Sequence, residues 1–138
     1  MARTQTSYDR QGMVPGHDNK ESDVNYMLLI YQSEAGFAKA TKADFDQMMA
    51  AYGAYTQAMV KAGVLKAGDP LAPSTSATTV RLDGGKQKVL NGPYAETKEQ
   101  LGGYYIIDVP DLDAAISWAA RCPGANGGVM EVRPIGAM

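Results

Sequence analysis

Two carboxylates and a group of phenols are the side chains here best suited to chemistry. Glu96 lies in the run Asn91-Gly92-Pro93-Tyr94-Ala95-Glu96-Thr97-Lys98-Glu99-Gln100, where turn residues are followed by closely spaced polar side chains. A glutamate stripped of water in a cleft acquires a raised pKa and serves as a general base. Asp69, just ahead of Pro70, is the second candidate for moving a proton. Both have a plainer role: Glu96 can pair with Lys98, Arg81 or water, and Asp before Pro commonly starts a turn. Tyr31, Tyr55 and Tyr94 join an apolar ring to a hydroxyl, which suits the wall of a small-molecule pocket, although Tyr52 and Tyr55 at helical spacing equally suit core packing. Lys98 and Gln100 add polar contacts, and Arg133 can receive a carboxylate. Cys122 closes a helix, where the dipole disfavours a thiolate, so it is not read as a nucleophile.

Other chemistries lack their residues. One Cys excludes an intrachain disulfide and a thiolate metal site, and one His (His17) makes a His-based triad implausible. No P-loop, dinucleotide fingerprint or metal-ligand spacing occurs, so no metal and no cofactor are expected. A net charge of −2 over 138 residues gives no electrostatic basis for nucleic-acid binding. No stretch approaches the ~18 consecutive apolar residues of a membrane span. The opening MARTQTSYDRQG lacks the apolar region of a signal peptide, and a cytoplasmic protein is expected.

The elements that must position these residues follow from periodicity. Residues 1–24 are polar and lack an apolar period, and read as an extension; the folded domain is expected over 25–138. Tyr26-Met27-Leu28-Leu29-Ile30-Tyr31 reads as a strand buried on both faces. Residues 41–62 read as a helix, with Thr41 as N-cap and Asp44 three residues on. Its apolar face is Phe45, Met48, Met49, Tyr52, Tyr55 and Met59, and Gly63 fits a left-handed cap. Gly53, costly in a helix by up to ~1 kcal/mol, is expected where the helix packs closely on a sheet. A weaker strand covers 64–71. Asp83-Gly84-Gly85 signals a hairpin between 77–82 and 86–90. Residues 101–109 form another strand. A second helix follows, capped by Asp111, with Leu112, Ala115, Ile116 and Ala119 as its apolar face, and Pro123 stops it. Residues 127–133 form the last strand.

Apart from the hairpin, this order is strand, helix, strand, strand, helix, strand. It is the ferredoxin-like split β-α-β arrangement, an α+β fold with a four-stranded antiparallel sheet. Two helices cover one sheet face. The other would expose a large apolar patch, and a second copy related by a two-fold axis is the expected cover. Two sheets face to face make a dimeric α+β barrel. Burial at ~25 cal/mol per Å² over ~800 Å² per partner is enough to overcome association entropy.

The run from Asn91 also carries a family resemblance. Asn91-Gly92-Pro93-Tyr94 resembles the DGPF motif of the YCII-related family, with Asn for Asp and Tyr for Phe. The likeness extends through Leu101-Gly102-Gly103-Tyr104-Tyr105, Asp108-Val109-Pro110-Asp111-Leu112-Asp113, Trp118-Ala119-Ala120-Arg121-Cys122-Pro123 and Val132-Arg133-Pro134, and covers about residues 25–135. The resemblance implies a dimeric α+β barrel. Some relatives are thought to use a His-Asp pair, which cannot be carried over because no His follows His17. Two functions are therefore expected. One is a metal-free small-molecule lyase or isomerase, with Glu96 or Asp69 moving a proton in a pocket lined by Tyr and Met between sheet and helices. The other is a non-catalytic module binding a metabolite or a regulatory protein, as in members resembling companions of alternative sigma factors. Expected partners are a second copy and a small-molecule ligand.

Overall fold

The apolar run around Leu28 becomes the inner strand β1 (Val24–Gln32) of a four-stranded antiparallel sheet. The computed structural model describes residues 23–136; of the extension read over 1–24, residues 1–22, with His17, lie outside that span. The chain continues through α1 (Glu34–Ala38), α2 (Lys42–Ala62), β2 (Leu65–Pro70), β3 (Thr78–Asp83), β4 (Lys86–Asn91), β5 (Gln100–Val109), α3 (Leu112–Arg121) and β6 (Val129–Pro134). The main sheet runs β2-β5-β1-β6, and β3 pairs with β4 in a separate hairpin closed by Gly84 and Gly85. This is the expected ferredoxin-like order with one inserted hairpin.

Alternation along the strands divides the sheet into two faces. Tyr26, Leu28 and Ile30 of β1, with Ile107 and Val109 of β5, are buried against Tyr55 and Met59 of α2 and Ala115 and Ala119 of α3. Leu28, Met59, Ile107 and Val109 are the largest fully enclosed side chains. Each contributes roughly 1.5–3 kcal/mol by leaving water. The intervening residues Met27, Leu29 and Ile106 face the other way and stay half-buried in the single chain. Thus β1 is enclosed on one face only, a correction to the two-sided burial read from its continuous apolar run.

Helix α2 begins as its sequence dictates. Thr41 Oγ1 accepts from Asp44 N at 3.1 Å, and Asp44 Oδ2 accepts from Thr41 N at 3.2 Å. This reciprocal box holds although Asp is shorter than the usual Glu or Gln. Gly63 ends the helix at φ 73°, and its N–H bonds to Met59 O and Val60 O. The expectation for Gly53 is corrected: a Cβ there would meet nothing within 4 Å. Close packing on the sheet occurs instead at Gly68 of β2, where a Cβ would lie 2.6 Å from Tyr105 Cδ1. In α3, Asp111 Oδ1 accepts from Ala114 N at 2.9 Å, forming the N-cap. Its apolar face is rotated from the expected one. Ala115 and Ala119 are buried, Trp118 packs on the core, and Leu112 and Ile116 are exposed.

Candidate functional site

The structure distributes the candidate residues over four places. Tyr55 belongs to the core: its hydroxyl donates to Trp118 O at 2.7 Å, and its ring meets Tyr105 edge-on, with centroids 5.4 Å apart. Tyr31 and Arg133 lie on the open sheet face and converge on Glu131, a residue the sequence did not single out. Tyr31 Oη donates to Glu131 Oε1 at 3.2 Å, and Arg133 pairs with the other carboxylate oxygen. The Arg133 guanidinium, helped by the Tyr31 hydroxyl, holds the Glu131 carboxyl below its usual range. Desolvation, followed by Glu131, raises the Tyr31 phenol. Asp69 is exposed at the end of β2, and its Oδ2 accepts from Tyr104 Oη at 2.9 Å.

The fourth place is the loop between β4 and β5. Tyr94 is 80% exposed and lies under the Arg81 guanidinium, 5.9 Å from ring centroid to Cζ. Glu96 and Lys98 are exposed in the same loop. Gln100, at its end, accepts from Glu34 N at 2.9 Å through Oε1, while its amide donates to Thr97 O. The loop residues therefore do not converge with Asp69 or with the Tyr31–Glu131–Arg133 group.

A different constellation surrounds a cleft of about 550 Å³ between α2 and the sheet. It exists because α2 is anchored only in its C-terminal half, by Tyr55 and Met59. The first turns stand off, leaving Phe45 and Met49 each 52% exposed. The helical spacing of the apolar stripe was legible, but half of that stripe lines an opening instead of the core. Phe37, Phe45, Met48, Met49 and Leu71 form the apolar wall. Phe37 comes from α1, five residues without a detectable sequence period. Glu34 pins that helix: Ser74 N and Ser74 Oγ both donate to its carboxylate at 2.7 Å. Charge-assisted bonds of this kind are about twice as strong as neutral ones.

Ile30, Gln32 and Tyr105 from the sheet, with Tyr52 and Thr56 from α2, also line the cleft. Thr56 Oγ1 and Tyr105 Oη are 3.0 Å apart and share a hydrogen bond. The Tyr52 hydroxyl lies against the Gln32 amide and the Cys122 thiol. Burial raises the Tyr52 phenol well above its usual range, and the neighbouring Cys122 adds to this. Desolvation also raises the Tyr105 phenol and the Cys122 thiol, so all three hold their protons near neutral pH. Asp69 and Tyr104 are further lining residues, where β2 meets β5. Gln32 and Thr56 were missed in the sequence because an isolated amide or hydroxyl carries no spacing signal. Among the described residues no group of three or more His, Cys, Asp or Glu side chains is arranged to hold a metal ion, and no helix is long and apolar enough to cross a membrane.

Residues 24–138 match the YCII-related domain. The chain belongs to the YCII-related family. A further relative of this YCII-related chain is an uncharacterised protein of Rhizobium meliloti (strain 1021), 38% identical over 112 residues. The likeness covers 80% of this chain and 90% of that protein, so the sheet, both long helices and the cleft fall within the family domain.

Proposed function

We propose that this YCII-related protein is a homodimeric binding module for a small, largely apolar molecule, held in the cleft between α2 and the sheet. The observation that carries this reading is the stand-off of α2. It leaves Phe45, Met48 and Met49 beside an opening of about 550 Å³, within the ~300–1,000 Å³ range of small-molecule sites, with hydrogen-bonding groups opposite them. An apolar wall facing a few polar groups is the usual chemistry of such pockets. The homodimer reading rests on the sheet face of Met27, Leu29 and Ile106, which no element among the described residues covers.

A lyase or isomerase reading is favoured by one observation. Asp69 borders the cleft through β2, but its carboxylate, bonded to Tyr104, projects from the open face that a second copy would cover. Burial there would strip the carboxylate of water, the setting that a general base needs. Non-catalytic binding ranks first, because Glu96 lies away from the cleft and Asp69 is exposed.

A thermal-shift screen of small aromatic acids, phenols and lactones tests the binding reading. A ligand at ~100 times its Kd stabilises the fold by ~2.7 kcal/mol, a readily measured rise in Tm. Absence of any shift across a broad library overturns it.

A further inference from the structure

We infer that the ligand of the α2–sheet cleft is an uncharged molecule: a flat apolar body carrying one neutral oxygen, such as a phenol, ketone or lactone, aimed at the Thr56–Tyr105 pair. The inference rests on the binding reading above and goes beyond it by fixing the ligand's charge and polar group.

Three observations carry it. The first is the charge of the lining. Among the described residues, none of those lining the cleft is Lys, Arg or His, and the one formal charge is Asp69. A bound carboxylate or phosphate would lose its hydration and find no cation in return, and an unpaired buried charge is costly. Arg133, the residue suited to a carboxylate, lies on the other sheet face beside Glu131. A cationic ligand would meet no carboxylate inside the cleft, because Asp69 is solvent-exposed and pairs with Tyr104 on the open face.

The second is the proton count of the hydroxyl pair between α2 and β5. Thr56 and Tyr105 hold two hydroxyl protons and share one hydrogen bond, so one O–H remains to donate. A neutral ligand oxygen satisfies it. The Gln32 amide and Tyr52 hydroxyl add further uncharged donors and acceptors nearby. The third is the wall. Two phenylalanines and two methionines suit a planar ring system, and the methionine thioethers adapt to its outline.

The test uses the full chain and three probes that share a naphthalene body: 2-naphthol, 2-naphthoate and 2-naphthylmethylammonium. Calorimetric titration at neutral pH is expected to find 2-naphthol at least tenfold tighter than either charged probe. Thr56→Val keeps the shape and removes one hydroxyl. It is expected to weaken 2-naphthol several-fold while leaving binding of plain naphthalene unchanged. Naphthoate binding as tightly as naphthol, or the ammonium probe binding tightest, overturns the charge inference while cleft binding stands. Equal loss of naphthol and naphthalene in Thr56→Val overturns the hydroxyl assignment. Failure of all four compounds, together with a silent thermal-shift library, overturns the binding reading itself.

Discussion

Tyr31 and Glu131, 100 residues apart in sequence, meet on the uncovered face of the sheet, where the Tyr31 hydroxyl donates to Glu131 Oε1 at 3.2 Å. Arg133 takes the other oxygen of the same carboxylate. The three form a polar flank beside the apolar centre made by Met27, Leu29 and Ile106. In the paired register Met27 lies opposite Ile106 and Leu29 opposite Glu131. An apolar centre with a polar margin is the usual anatomy of a protein interface.

A charge at that centre tests the pairing. Sedimentation of the wild-type chain is expected to report twice its 14.7 kDa mass at micromolar concentration. Ile106→Lys is expected to sediment as a single chain and to keep its circular dichroism, because Ile106 points away from the core that Ile107 enters. A wild-type monomer at these concentrations contradicts the homodimer.

The Tyr55 hydroxyl joins α2 to α3 by donating to Trp118 O at 2.7 Å. Tyr55→Phe keeps the ring and its edge-on contact with Tyr105 but leaves that carbonyl without this donor. The expected loss is about 1–2 kcal/mol in urea unfolding, with an unchanged m-value. A change below about 0.3 kcal/mol would deny the bond a part in holding the two helices together.

The buried phenols set an alkaline limit. Burial raises the folded-state pKa of Tyr52 and Tyr55, whereas unfolded phenols ionise near 10. The folded chain therefore holds protons that the unfolded chain releases. Their contribution to stability is complete below about pH 10 and is lost as pH rises through the folded values. Tyrosinate absorbance is expected to include a fraction that appears only together with the loss of native circular dichroism. Tyr52→Phe is expected to make the alkaline decline in stability shallower.

Glu34 is expected to control the mouth of the cleft. Its carboxylate takes both Ser74 donors, and its backbone N–H reaches Gln100. Glu34→Ala is expected to accelerate amide exchange in α1 and residues 71–77 at least tenfold while leaving β1 and β5 protected. Unchanged exchange in α1 would show that the pin is not what holds Phe37 at the wall.

Much of this architecture was legible in the residues. The apolar run around Leu28 marked a strand though not its exposed face, and the capping pair Thr41 and Asp44, the Gly84-Gly85 turn and the Asp111 cap each fix local structure by short-range chemistry. Family membership was legible in the run from Asn91. The candidate site was less so. Phe45, Met48 and Met49 share the period of Tyr55 and Met59, and sequence spacing cannot distinguish a helix lying flat on its sheet from one that lifts at one end. Glu131 was hidden because its role depends on strand register with Tyr31. Thr56 and Tyr105 acquire meaning only when α2 crosses β5. Gly53 was misread for a related reason: a helical glycine signals close packing only if its face meets the sheet, and this one does not.

The most direct test of the cleft uses the methionine methyl groups as reporters. Met48 and Met49 line the cleft, Met27 lies on the open face and Met59 is enclosed in the core. In a methyl-labelled NMR titration with 2-naphthol, binding in the cleft moves the Met48 and Met49 resonances together and saturably, and leaves Met27 in place. Saturable shifts confined to Met27, with Met48 and Met49 unmoved, would put the ligand on the open face and contradict the assignment.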